Sequence, residues 1–250
     1  MQNIKLEIEY DGTNFYGWSI QPHKRTVRGE IELKLNEILQ EKIKLVVAGR
    51  TDAGTHAICQ VANFTTTSNL SAYSIKKALL KLPRDIYIKS ATQMPLEFNS
   101  RRDALSRTYL YRILLNRSPI LHTRVWEYTY KLDIDRIKNA LPLFLGTHQF
   151  DLLAHKDTGE CKVIRFILTQ QSNELNFEIE ANRFLRRMVR MIIGVLVTLG
   201  RGKIDENDIK EALELKGKKP CLCAVSCGLY LKEVNYKTKY YLRCIDRDKY

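Results

Sequence analysis

The chain has 250 residues, enough for one large core or two modest ones, and its 44% hydrophobic and 28% charged content is that of a globular protein, not a disordered or fibrous one. Its 41 basic and 28 acidic residues give a net charge of +13, which favours a polyanionic partner, either nucleic acid or an anionic membrane face. The longest apolar run, residues 188–199, is broken by Arg190 and is too short to span a bilayer, so no membrane span is expected.

In the first half, residues 5–10 alternate as a strand. Val27, Ile31, Leu35 and Ile38 recur at helical spacing and predict an amphipathic helix over about residues 26–40. Residues 43–48 and 58–65 read as strands on either side of a glycine-flanked turn. Ser71 is placed to cap a helix that carries Ile75, Ala78, Leu79 and Leu82 and ends at Pro83, and residues 86–92 form a further strand. That order is the split βαβ, or ferredoxin-like, unit. The segment 95–102 reads as the crossing between halves.

The second half repeats the theme. Residues 108–115 and 124–130 read as strands, and Ile134, Ile137, Leu141 and Leu145 predict a helix that Pro142 should kink or shorten. Strands at 162–170 and 175–181 are joined by a Gln-Ser-Asn-Glu turn. Asn182 then opens the longest helix, which runs to about Leu199 and ends at Gly200 and Gly202. A short helix at 205–215 and a last strand at 225–233 follow. The expected fold is α+β: two ferredoxin-like halves whose mainly antiparallel sheets join, with the active-site cleft at the seam. The expected division is 1–94, a crossing segment 95–107, a second half 108–236, and a polar basic tail 237–250.

The chemistry concentrates in Ala48-Gly49-Arg50-Thr51-Asp52-Ala53-Gly54-Thr55-His56-Ala57. Gly49 and Gly54 let the backbone turn sharply and allow a ligand to approach closely. An Asp52 held ionised by Arg50 is a poor general acid but a usable nucleophile or electrostatic stabiliser; on residue types alone a salt-bridged turn is the simpler reading. Asp11-Gly12-Thr13-Asn14 looks like the phosphate-binding turn of actin-like kinases, yet the second phosphate loop of such folds is missing, as are GxxxxGK[ST], GxGxxG and HExxH. Tyr109 and Tyr111 share one face of a strand, as core residues with their hydroxyls at the rim. Arg183, Arg187 and Arg190 follow i, i+4, i+7 and predict a basic stripe opposite Leu185, Met188, Val189, Ile192 and Leu196. Six cysteines (Cys59, Cys161, Cys221, Cys223, Cys227 and Cys244) lack paired spacings, and Cys221-x-Cys223-x3-Cys227 has no second CxxC or histidine pair nearby. They are expected to be reduced thiols of a cytosolic chain and not a metal cluster, and the start of the sequence shows no signal-peptide pattern.

The loop from Ala48 to Ala57 closely resembles the catalytic motif of the TruA-type tRNA pseudouridine synthases, and further motifs of that family follow in order. They are Tyr10-Asp11-Gly12 with Phe15-Tyr16-Gly17-Trp18; Phe98 to Arg101 followed by Arg107-Thr108-Tyr109-Leu110-Tyr111; Phe184 to Gly194, containing Met188-Val189-Arg190; and Gly228-Leu229-Tyr230-Leu231. Ser19-Ile20-Gln21 departs from the family's glutamines, and Gln149 stands in Gly146-Thr147-His148-Gln149-Phe150 where the family has Asp; His148 is expected to be structural. The resemblance implies a homodimeric enzyme that isomerises uridine in the anticodon stem-loop of tRNA, typically at positions 38, 39 and 40, without cofactor or metal. It implies Asp52 as the essential carboxylate, Arg50 filling the space of a flipped base, Tyr109 packing on the target base, and Arg190 pairing with the aspartate from the opposite half. Leu229 would wall the base pocket, and Tyr111, Arg183 and Arg187 would bind substrate. The alternatives are a non-catalytic RNA-binding module on the same fold, for which no RNP1 string is present, and a small-molecule phosphotransferase built on Asp11-Gly12-Thr13.

Overall fold

The computed structural model describes residues 1–217 and 222–237. The fold is α+β with a large, mostly antiparallel sheet, as predicted. By its contacts the chain divides into two compact units, Met1–Arg107 with residues 231–237, and Thr108–Tyr230.

In the first unit, β1 (Gln2–Tyr10) pairs antiparallel with β3 (His56–Thr66) on one side and β4 (Ile86–Met94) on the other, and the short β2 (Val46–Val47) pairs with β3. Alternation along β1 sends Ile4, Leu6 and Ile8 into the core, where Val27, Ile31 and Leu35 of α1 (Val27–Leu39) are also buried. Thr26 caps α1 through the Gly29 N–H, and Ser71 caps α2 (Ala72–Ala78) through the Ser74 N–H, the second of these as expected. The opposite face of β1 carries a buried polar layer. Asn3 Nδ2 donates to the Phe98 carbonyl at 2.8 Å, Asn63 Nδ2 donates to Asn3 Oδ1 at 2.9 Å, and the Ser100 N–H donates to Asn63 Oδ1 at 2.8 Å. Those bonds bind the 95–100 segment to the sheet. The predicted strand over 43–48 shrinks to β2 because α1 takes the preceding amides: Ile43 N–H donates to Asn36 Oδ1 and Leu45 N–H to Glu32 Oε1.

In the second unit the strand order is β5 (Ala104–Leu114), β9 (Glu174–Ala181), β8 (Glu160–Gln171), β7 (Gly146–Gln149), and β6 (Trp126–Glu127) runs parallel to β5. The unit boundaries fall within β5 and within the last strand, β10 (Leu229–Tyr236). β8 and β9 form a hairpin with Ser172 at φ 51° in its turn. The strand expected over 124–130 is only β6. The edge strand β7 goes unread in the sequence because Gly-Thr-His-Gln has no apolar alternation. Pro142 shortens the next helix as predicted: α3 (Ile134–Ala140) gives way to a 3-10 turn at Leu141–Phe144.

The longest predicted helix starts six residues later than Asn182. α4 (Met188–Gly200) is preceded by a non-helical turn with Arg187 at φ 59°. Asn182 Oδ1 accepts from the Lys162 and Arg183 amides, the Arg186 N–H donates to Asp157 Oδ2, and the Arg186 carbonyl accepts from His155 N–H. Outside partners thus take the backbone groups that a helix would have used. The expected stripe of Arg183, Arg187 and Arg190 therefore does not exist as one helical face. α5 (Glu206–Leu213) is closed by a reciprocal capping box between Asp205 and Asp208. Cys59, Cys161, Cys223 and Cys227 are free thiols; Cys221, Cys244 and the tail beyond residue 237 lie outside the described residues. Among the described residues no helix is long and apolar enough to cross a membrane.

Removing the α5 cap should cost stability without touching the chemistry: Asp205→Ala is expected to lower the unfolding free energy by about 1 kcal/mol in a urea titration, and an unchanged midpoint would show the cap to be idle.

Candidate active site

In the first unit, Asp52 and Arg50 share the loop between β2 and β3, with Asp52 half-buried and Arg50 exposed. The loop backbone is fixed from several sides. The Thr51 carbonyl accepts from Trp18 N–H at 3.1 Å, Thr55 N–H closes a turn onto the Asp52 carbonyl at 3.1 Å, and Gly54 N–H donates to the Phe15 carbonyl at 3.2 Å. Gln60 Nε2 donates to the Gly49 carbonyl at 2.7 Å, and Arg107 Nη2 to the Ala48 carbonyl at 2.9 Å. Side-chain oxygens of Tyr10 and Thr51 lie 2.7 Å apart.

Two glycines from the preceding segment make this approach possible. A Cβ on Gly17, which sits at φ 89°, would lie 2.7 Å from the Thr51 carbonyl oxygen and 3.0 Å from the Asp52 carbonyl carbon. A Cβ on Gly12 would lie 2.0 Å from the Thr55 oxygen, and the Gly12 N–H donates to His56 Nδ1 at 3.0 Å. Backbone can pass this close to backbone only where the side chain is absent. The cradling segment is itself tied down by Arg25, whose guanidinium makes a two-pronged pair with Asp85 at 2.6 and 2.9 Å and lies 4.2 Å above the Phe15 ring. The Asp85 carboxylate raises the pKa of Arg25 further above its ordinary value. The glycines are visible in the sequence; their partners in the Asp52 loop are not.

In the second unit, a group forms around residues 222–229. Arg190, half-buried on α4, donates through Nε to the Ala224 carbonyl at 2.7 Å, while Ala224 N–H returns to the Arg190 carbonyl at 3.0 Å. The Tyr111 hydroxyl donates to the Val225 carbonyl at 2.7 Å. A Cβ on Gly194 would fall 2.1 Å from the Leu222 oxygen, and one on Gly228 would fall 3.0 Å from the Tyr111 ring. Leu229, 6% exposed, opens β10 directly after this segment. Tyr111, expected to bind substrate, is 0% exposed and acts here as a core residue that holds the 225 carbonyl; burial pushes its pKa well up. Tyr109 is 8% exposed and packs edge-on against Phe184, ring centres 5.0 Å apart, a partner that strand periodicity does not reveal. Arg183 is exposed beside Gly159, and Arg187 occupies the left-handed position ahead of α4. His148 Nε2 donates to the Leu145 carbonyl at 2.8 Å, a purely local bond. Among the described residues no group of three or more His, Cys, Asp or Glu side chains is arranged to hold a metal.

Burial pushes the Tyr10 phenol up to about 12, so it remains a neutral hydrogen-bonding group throughout the physiological range. An unfolded tyrosine ionises near 10, so between about pH 10 and 12 the unfolded chain releases a proton that the folded chain keeps. Stability from this group is complete below that window and falls as pH rises through it. Urea midpoints measured from pH 8 to 12 should drop at the alkaline end, less steeply for Tyr10→Phe; equal slopes for the two proteins would refute the shift.

A family model described as tRNA pseudouridine synthase matches residues 7–101 and 140–237. The tRNA pseudouridine synthase A of Acetivibrio thermocellus is 38% identical over 244 residues, covering 94% of this chain and 100% of that one. The protein of the same name from Thermoanaerobacter sp. strain X514 is 37% identical over 245 residues, covering 94% of this chain and 100% of that one. The tRNA pseudouridine synthase A 1 of Bacillus cereus is 37% identical over 245 residues, with 94% and 99% covered. With both segments of the family matched and relatives aligned from end to end, the chain belongs to the tRNA pseudouridine synthases, a family of isomerases.

Proposed function

We propose that this enzyme converts uridine to pseudouridine in the anticodon stem-loop of tRNA, at positions 38, 39 and 40, with Asp52 as its essential carboxylate. The observation that carries the assignment of Asp52 is its place on a loop whose backbone is held on both sides by neighbouring segments, within the string that matches the family's catalytic motif. A fixed carboxylate is what bond exchange at a sugar carbon requires, because small displacements of a reacting group are costly in rate.

The reaction breaks the C1′–N1 bond, turns the base, and joins C1′ to C5; the C5 proton leaves and N1 gains one. Asp52 serves by attacking C1′, by adding at C6, or by taking the C2′ proton on a glycal route. A stem base must first leave the stack, at a cost of a few kcal/mol. Arg50, exposed and two residues from Asp52, is suited to occupy the vacated space. The Tyr109 phenol offers a ring on which the extruded base packs, Leu229 offers an apolar wall, and Arg190 is the cation that the family motif assigns to catalysis. The net charge of +13, with Arg183 and Arg187 among its contributors, suits an A-form stem read by shape and phosphate position. The reading includes a homodimer acting on tRNA in the cytoplasm. A light-scattering mass of one chain, with full activity at nanomolar concentration, would contradict the dimer.

Tritium release from tRNA labelled at uridine C5 measures the reaction directly. Wild type should release tritium with or without EDTA. Asp52→Asn should release none while binding tRNA within about twofold of wild type. Substantial release by Asp52→Asn would refute the role of the carboxylate, and tight, salt-sensitive binding by wild type without release would identify an RNA-binding module instead. Binding should weaken steeply with salt, and replacing Arg183 and Arg187 by Ala should reduce the log–log slope by about one for each phosphate no longer neutralised; an unchanged slope would remove them from the interface.

A further inference from the structure

The loop that carries Asp52 is too irregular to hold itself through a strand ladder, and buried polar side chains beneath it do the holding. Tyr10, 3% exposed, ends β1; Gln60, 0% exposed, lies on β3, and these strands pair with Ile8 opposite Gln60 and Tyr10 opposite Ala57. The Tyr10 hydroxyl is 2.7 Å from Thr51 Oγ1. Gln60 in turn donates through Nε2 to the Gly49 carbonyl at 2.7 Å and accepts from Val61 N–H through Oε1 at 3.1 Å. Two buried side chains, one from each strand, thus hold Thr51 and Gly49, the neighbours of Arg50, the first of them one residue before Asp52.

A side chain serving only to fill the core at position 10 would not need the hydroxyl. Burying a phenol oxygen is unfavourable unless it is paired, and phenylalanine would fill the same space without that demand. The oxygen here is paired with the one residue whose backbone leads straight into Asp52. Trp18, Phe15 and Arg107, by contrast, hold backbone atoms of the loop.

We infer that Tyr10, acting through Thr51 while Gln60 holds Gly49, is a positioning residue for Asp52, setting the carboxylate's place relative to the uridine sugar without touching the substrate. This rests on the assignment of Asp52 as the reacting carboxylate.

The test is steady-state tritium release by Tyr10→Phe, Thr51→Val and the double variant, alongside tRNA affinity and Tm. Each single change should lower kcat by about tenfold to a hundredfold, with KM and tRNA affinity within about twofold of wild type. The double variant should be no slower than the slower single, since both remove the same bond. Thr51→Ser keeps a hydroxyl and should recover most of what Thr51→Val loses. Ile8→Val, which trims a fully buried side chain on the same strand, serves as the control: it should lower Tm while leaving kcat in place. Wild-type kcat in Tyr10→Phe, or an equal loss in Ile8→Val, would overturn the inference. If Tyr10→Phe does not fold, the Thr51→Val and Thr51→Ser pair decides, and equal kcat for those two would overturn it. Asp52→Asn separates the two ideas: turnover by Asp52→Asn refutes the catalytic assignment, whereas an inactive Asp52→Asn beside a fully active Tyr10→Phe refutes only the positioning role.

Discussion

The near-contact of residues 12–17 with residues 51–55 governs how the first unit presents Asp52. Gly12 and Gly17 come within a missing methyl of the Thr51, Asp52 and Thr55 backbone, and Tyr10, just before them, reaches the Thr51 hydroxyl. Each contact alone contributes little, since a single hydrogen bond adds about 1 kcal/mol net. Together they restrict how the loop can lie, because giving up any of these buried bonds leaves a polar group unpaired. A loop joining two strands thereby acquires the rigidity of the sheet beneath it, which is what a site on a connecting segment needs.

The second unit solves a similar problem with different parts. Residues 222–229 belong to a segment with little regular structure of its own, and α4 and β5 grip it through main-chain atoms: Arg190 and Ala224 exchange two hydrogen bonds, Tyr111 holds the next carbonyl, and Gly194 allows the segment to lie directly on the helix. Arg190 thus commits Nε to structure. A guanidinium carries four further N–H donors, so a structural bond and a functional role are compatible in one arginine where a lysine would lose the fixed geometry.

Much of the fold was legible in the sequence because the core strands and capped helices obey local rules. The alternation of β1 and the helical spacing of Val27, Ile31 and Leu35 needed no tertiary context, nor did the cap at Ser71. The errors arose where distant side chains claimed backbone groups. Glu32 and Asn36 took the amides of a would-be strand at 43–45, and Asp157 and His155 took the backbone of Arg186 and so delayed α4. No spacing rule sees such partners. The site divides in the same way. The motif strings pointed to Asp52, Arg50, Tyr109 and Arg190 by resemblance, whereas the hold of Tyr10 on Thr51 and of Gln60 on Gly49, and the Phe184 ring against Tyr109, exist only in three dimensions.

Mapping pseudouridine at nucleotide resolution, by carbodiimide modification and primer extension on unmodified tRNA incubated with the purified enzyme, would read substrate, reaction and position at once. The proposed function predicts stops at positions 38, 39 and 40 wherever uridine occurs there, and none from tRNA treated with Asp52→Asn. Stops confined to another arm of the tRNA, or an identical pattern from Asp52→Asn, would contradict it.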